Sequence, residues 1–202
     1  MKGAPLRHDF GSGEVAAYRW INADGIQRGI VAESARVDDT AFIGAGASID
    51  EEAVIYHRAF IGDGARIGAG AIIDDGASIG TYARIGDGAS IGYWAFIGDR
   101  AVIGEEATIG YRARIEGDDW YMAGGPCGSR KAMWTAVHNR EHGLRWWVGC
   151  QRGITTDALL ERVQETHGDN EHGRAYRHAI LFVTTHPEYL RRVAAQADGA
   201  QP

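Results

Sequence analysis

The sequence predicts a mainly β fold: a stacked β-solenoid, closed at its start by a β-hairpin and followed by a small α+β module. Three observations predict it. Fourteen complete hexads run from Val31 to Arg114 without an insertion or deletion, and a fifteenth begins at Ile115. Each hexad opens on Val or Ile, and each complete one has Ala at its fifth position, from Ala35 to Ala113. After Trp120 the period vanishes and the composition changes. A six-residue period this strict marks a repeat whose units bury their apolar face only by stacking on one another.

The elements follow in order. Residues 1–30 form a cap, with a hairpin of Val15–Ile21, the turn Asn22-Ala23-Asp24-Gly25 and Ile26–Ile30, lying over the otherwise open edge of the first coil. Residues 31–119 form the solenoid. Its repeated core is Ala-x-Ile, as in Ala59-Phe60-Ile61. Alternation in a strand turns the Ala and Ile inward and the middle residue outward. The Gly- and Asp-rich triplets between them turn the corners.

Residues 120–202 form a ββααα module. Its strands are Ala132–Val137 and Leu144–Cys150. A helix over Asp157–His167 is capped by Thr155 or Thr156 and stopped by Gly168. A second helix is capped by Asn170 and ended by Pro187, and a third runs near Glu188–Ala195.

The hexads resemble the hexapeptide-repeat family over Val31 to about Ile115. That resemblance implies a left-handed parallel β-helix with three hexads per coil, here about five coils and roughly 20–25 Å tall. Sorting hexads by threes gives three outward faces. One shows Arg36, Val54, Ile72, Ser90 and Thr108; a second Ser48, Arg66, Arg84 and Val102; a third Phe42, Phe60, Ser78, Phe96 and Arg114. The corner beside the third face carries Tyr56-His57-Arg58, Tyr93-Trp94 and Tyr111-Arg112. An aromatic edge on a prism of small residues is covered by something. Phe42, Phe60, Phe96, Tyr56, Tyr93 and Trp94 are the expected interface of a homotrimer, the assembly the family implies, and the alternative cover for the same edge is the C-terminal module of the chain itself.

The module resembles the C-terminal domain found behind such repeats in phage and prophage proteins, over about Gly125 to Phe182. The matching points are Gly128-Ser129-Arg130, Gly149-Cys150, Gly153, His167-Gly168-Asp169 and Tyr176. This resemblance implies a viral or prophage setting and no particular activity.

Charge divides the chain. Residues 31–119 hold sixteen acidic and seven basic side chains, a balance of −9, and residues 120–202 hold ten basic and eight acidic, a balance of +2. An acidic solenoid argues against nucleic acid as partner. No apolar run has membrane-spanning length and no signal-peptide core follows Met1, so a cytoplasmic protein without a membrane partner is expected. Cys127 and Cys150 make no disulfide framework and read as reduced thiols.

Three clusters are candidates for chemistry. Enzymes of the hexapeptide-repeat family are usually acyltransferases that use acyl-CoA and a histidine base. His57 alone lies in the solenoid, the register leaves no inserted loop, and no second polar residue at that corner is expected to orient the imidazole. His57 therefore stands as a weak catalytic candidate. The glycine-bearing Gly128-Ser129-Arg130, with Arg145 and Arg152, is the expected ligand site, since backbone N–H groups and arginine forks suit an anion. His167, Asp169, His172 and His178 straddle a helix break, which speaks against a metal. The resulting expectation is a non-enzymatic oligomeric scaffold that binds a small anionic ligand or a host protein and needs no cofactor. Its alternative is an acyl-CoA-dependent acyltransferase.

Overall fold

A computed structural model describes residues 1–11, 13–117, 119–127, 129, 132–148 and 151–199. The chain divides into two compact units, Met1–Gly117 and Asp118–Pro202.

The first unit is a left-handed parallel β-helix of about five coils. Two-residue strands pair in parallel with those eighteen residues on, as Phe42 with Phe60 and Ser78 with Phe96. Three hexads therefore make one coil. Sheets of five, five and seven strands form the prism walls. Inside, the isoleucines that open the hexads, from Ile43 to Ile115, are at most 3% exposed. Burying such a side chain is worth roughly 1.5–3 kcal/mol before ordering entropy is subtracted. Most corners hold their third residue in the left-handed region, with non-glycine residues such as Arg58, Trp94 and Arg112 at φ 54–56°. Asp63, Asp87 and Asp99 support the corners by accepting from the backbone N–H of Ala45, Ala69 and Thr81, one coil earlier.

The hairpin is present as Glu14–Ile21 and Gln27–Ala32, and it extends the seven-stranded wall. Its second strand continues into the solenoid, with Ile30 and Val31 pairing with Ser48 and Ile49. A further strand, Lys2–Asp9, pairs antiparallel with Glu14–Ile21 on the outer edge. The sequence reading had no strand there. Its register shifts between Lys2 and Pro5, as fits a proline-bearing edge strand. Tyr18 and Trp20 are buried, and Asn22 is 2% exposed. The Asn22 carboxamide donates to the Ile43 carbonyl (2.9 Å) and accepts from the Ile43 N–H (3.0 Å), completing the open edge of the first coil.

The second unit is an α+β module with an antiparallel sheet in the order Trp120–Cys127, Ala132–Asn139, Gly143–Val148, Gln151–Ile154. It has four strands where the sequence reading had two. Gly124-Gly125-Pro126 read as a loop, yet Trp120–Cys127 runs through it with a register shift between Gly124 and Cys127. A Cβ at Gly124 would lie 2.6 Å from the Trp134 ring, so this glycine serves packing. Helices α1 (Thr156–His167), α2 (Glu171–Thr184) and α3 (Pro187–Gly199) follow. Thr155 caps α1 and Asn170 caps α2, each accepting from a backbone N–H three residues on.

Trp146 faces the core at 1% exposure and donates from Nε1 to Thr156 Oγ1 (3.0 Å), while Trp147 lies half-buried on the opposite face. The Cys127 thiol is free and buried, and burial raises its pKa to about 11. Cys150 lies outside the described residues. No helix among the described residues is long and apolar enough to cross a membrane.

Candidate active site at the His57 corner

The aromatic edge is built at a corner leading from the Val54 face into the phenylalanine face. On that face Phe42 and Phe60 stack in parallel planes with centroids 4.9 Å apart, and Arg114 lies over Phe96 at 4.3 Å. At the corner Tyr93 and Tyr111 stack at 5.7 Å, and Arg112 lies over Tyr111. Tyr56, Phe60, Tyr93 and Trp94 remain 40–51% exposed in the single chain.

His57 sits on the second rung of this corner, and the first rung supplies what the sequence reading did not expect. His57 Nδ1 is 2.9 Å from Thr40 Oγ1 and 3.6 Å from an Asp38 carboxylate oxygen. Thr40 Oγ1 also donates to Asp38 Oδ1 (2.5 Å) and accepts from the Arg58 N–H (2.9 Å). A hydroxyl has one proton, and here Asp38 takes it. The Thr40–His57 contact is then donated by Nδ1–H, and in the neutral imidazole that tautomer puts the lone pair on Nε2. This is the tautomer a general base needs. The Asp38 carboxyl is held below its ordinary pKa, first by the Thr40 hydroxyl, next by the Thr40 backbone N–H, and also by His57. The expectation that nothing orients His57 is thus corrected. The partners stand seventeen and nineteen residues earlier, one coil away.

The expected ligand site in the module is only partly described. Gly128 and Arg130 lie outside the described residues, and Ser129 is exposed in a turn. Arg145 is half-buried on Gly143–Val148, and Arg152 is exposed on Gln151–Ile154. In the histidine cluster, His167 stacks on Tyr176 at 5.6 Å and meets His172 edge-on at 5.7 Å. Asp169 pairs with Arg177 at 2.9 Å. Among the described residues no group of three or more His, Cys, Asp or Glu is placed to hold a metal ion.

A family model described as the GMPPB C-terminal domain matches residues 27–119, a little under half of the chain. No curated protein matches it. Among solved structures, the chain is similar to PerB from Caulobacter crescentus in complex with CoA and GDP-perosamine, at 25% identity and TM-score 0.44, covering 45% of this chain and 44% of that one. It is also similar to a variant of perosamine N-acetyltransferase from the same organism, at 23% identity and TM-score 0.25, over 44% and 50% of the two chains. The acetyltransferase domain of PglB from Neisseria gonorrhoeae, in complex with acetyl coenzyme A, matches at 19% identity and TM-score 0.34, over 44% and 51%. The chain thus spans about half the length of these proteins. Two of these neighbours carry acetyltransferase in their names, and the expectation of a non-enzymatic scaffold is withdrawn.

Proposed function

We propose that this chain is an acyl-CoA-dependent acyltransferase in which His57 is the general base. The observation that carries the reading is the chain Asp38–Thr40–His57, which orients the imidazole and leaves Nε2 free to take a proton. In acyl transfer the acceptor's lone pair attacks the thioester carbonyl carbon while the base takes the acceptor's proton. The C–S bond then breaks, and the imidazolium returns that proton to the leaving sulfur. Thr40 and Asp38 are positioning residues. CoA is the implied co-substrate, and copies packed along the phenylalanine face are the proposed assembly.

The test is thiol release from acetyl-CoA against a panel of amines and alcohols. His57→Ala should lower kcat by about 10²–10⁴-fold with the melting temperature unchanged. Thr40→Val should lower kcat with little change in the KM for acetyl-CoA, and Thr40→Ser should restore it, because only the hydroxyl is needed. Full turnover in a folded His57→Ala variant would sink the proposal.

A further inference from the structure

Helix α3 is amphipathic, and it turns its polar side to its own sheet. Tyr189 lies against Trp120 and His138, and Gln196 Nε2 donates to the Asn139 carbonyl (3.4 Å). Arg192 is half-buried and donates to Glu188 (2.9 Å). The opposite stripe, Leu190, Val193, Ala194 and Ala197, has the i, i+3, i+4, i+7 spacing of a core-facing helix, yet all four residues are exposed. The end of α2 continues the stripe. There Ile180 and Val183 fill the module core, while Leu181 and Phe182 are exposed. The Phe182 ring meets His186 edge-on at 6.5 Å, and the His186 carbonyl accepts from the Leu190 N–H one turn on (3.1 Å). Leu181, Phe182, Leu190 and Val193 are 39–60% exposed.

Charge is sorted around this surface. Of the twelve exposed positions from Arg174 to Ala197, eight are apolar, two are arginines and none is a carboxylate. Glu188 is half-buried among them and shared by Arg191 and Arg192, which leaves that group one positive charge. The carboxylates exposed on the helices stand earlier in the chain. They are Asp157, Glu161 and Glu165 on α1, Asp169 in the turn, and Glu171 at the start of α2. The outer surface of a helix in water is ordinarily polar, with its apolar stripe turned to the core. An apolar outer stripe whose exposed charges are all basic is instead the pattern of a helix lying in a lipid interface. A second copy laid on this surface would meet charges of its own sign, whereas anionic headgroups offer the opposite one.

We propose that the end of α2 and the outer face of α3 form a surface that lies on an anionic lipid bilayer. Leu181, Phe182, Leu190 and Val193 enter the boundary between headgroups and acyl chains, and Arg191 meets the lipid phosphates. Nothing crosses the bilayer. The apolar residues alternate with polar ones at helical spacing, so a search for runs of membrane-spanning length passes over them. Few side chains enter the lipid, so the contact is reversible. This inference goes beyond the acyltransferase reading and does not rest on it; either can fail alone.

The test is co-sedimentation of the full chain with vesicles of phosphatidylcholine and phosphatidylglycerol in equal parts, against vesicles of phosphatidylcholine alone. The chain should pellet with the mixed vesicles and release as salt rises. Phe182→Ser and Leu190→Ser should each lower the partition coefficient by about tenfold. Arg191→Gln should lower it by about fivefold on mixed vesicles and hardly at all on phosphatidylcholine. These side chains are exposed, so melting temperatures should stay at the parent value. Val102→Ser, at an exposed apolar position on the solenoid, should bind as the parent does. A chain left in the supernatant with mixed vesicles overturns the proposal, and so does parent-like binding by folded Phe182→Ser and Leu190→Ser variants. Equal binding to both kinds of vesicle removes the anionic headgroup and overturns it as well. If the parent ignores vesicles and Leu190→Ser lowers its mass in light scattering, a second copy covers this surface in place of lipid.

Discussion

Thr40 has one hydroxyl proton, and its destination decides what His57 can do. Because Asp38 accepts it, the imidazole donates from Nδ1, and in its neutral form Nε2 carries the lone pair. The residues were legible in the sequence, but their meeting was not. The eighteen-residue coil sorts the outward faces correctly, and the same step back from Arg58 lands on Thr40. A corner is read less easily than a face, since its side chains follow no alternation and their directions depend on left-handed backbone at the third residue. Asn22 shows the same limit. It reads as a turn residue, and the structure makes it a surrogate strand for Ile43. Asn22→Ala should cost about 1–3 kcal/mol in urea unfolding, because a buried N–H and C=O lose their partner. A loss below a few tenths of a kcal/mol would mean that water replaces it.

At the scale of elements, long periodic segments were readable and short or proline-bearing ones were not. The helices α1 and α2 begin at the caps their sequence marks, Thr155 and Asn170. Lys2–Asp9 and Trp120–Cys127 carry proline or paired glycines, and they become strands because a neighbouring strand offers pairing along an edge. The helix α3 is held to its sheet through an aromatic contact that gives a pH prediction. His138 is 4% exposed and meets Tyr189 edge-on at 5.3 Å, and Tyr189 also faces Trp120 at 5.7 Å. Burial lowers the His138 pKa, and the Arg192 charge lowers it further against the opposing effects of Asp119 and Gln196. The fold thus favours the neutral imidazole. A depressed folded-state value contributes stability that is fully present above the unfolded value, about 6.5, and is lost as pH falls through the folded value. Thermal melts should therefore show the module losing stability below about pH 6.5. The slope should flatten in His138→Leu, whose side chain takes no proton. An unchanged slope would assign the acid sensitivity to another group.

For the whole molecule, stacking sets what the solenoid can bury, and on the phenylalanine face it leaves Phe42 and Phe96 half-buried and Phe60 exposed. The isoleucine ladder fills the prism, so outward side chains add to stability only if another surface covers them. Phe60 is 45% exposed although it stacks on Phe42. A stripe of Phe42, Phe60 and Phe96 along one wall suits a second copy of the same wall system, and threefold association would use it three times. Light scattering at micromolar concentration should give about three times the 21.9 kDa chain mass. Phe60→Asp should dissociate the assembly, since an interface that buries a lone carboxylate without a partner loses several kcal/mol. Val102→Asp, on a different wall and 63% exposed, should leave it intact. The His57 corner borders the phenylalanine face, so the two measurements are linked. If a neighbouring copy closes the thioester site, Phe60→Asp should lose acyl transfer together with its trimer mass. Retained transfer in a monomeric variant would confine the site to one chain, and a monomeric parent protein would remove the trimer altogether.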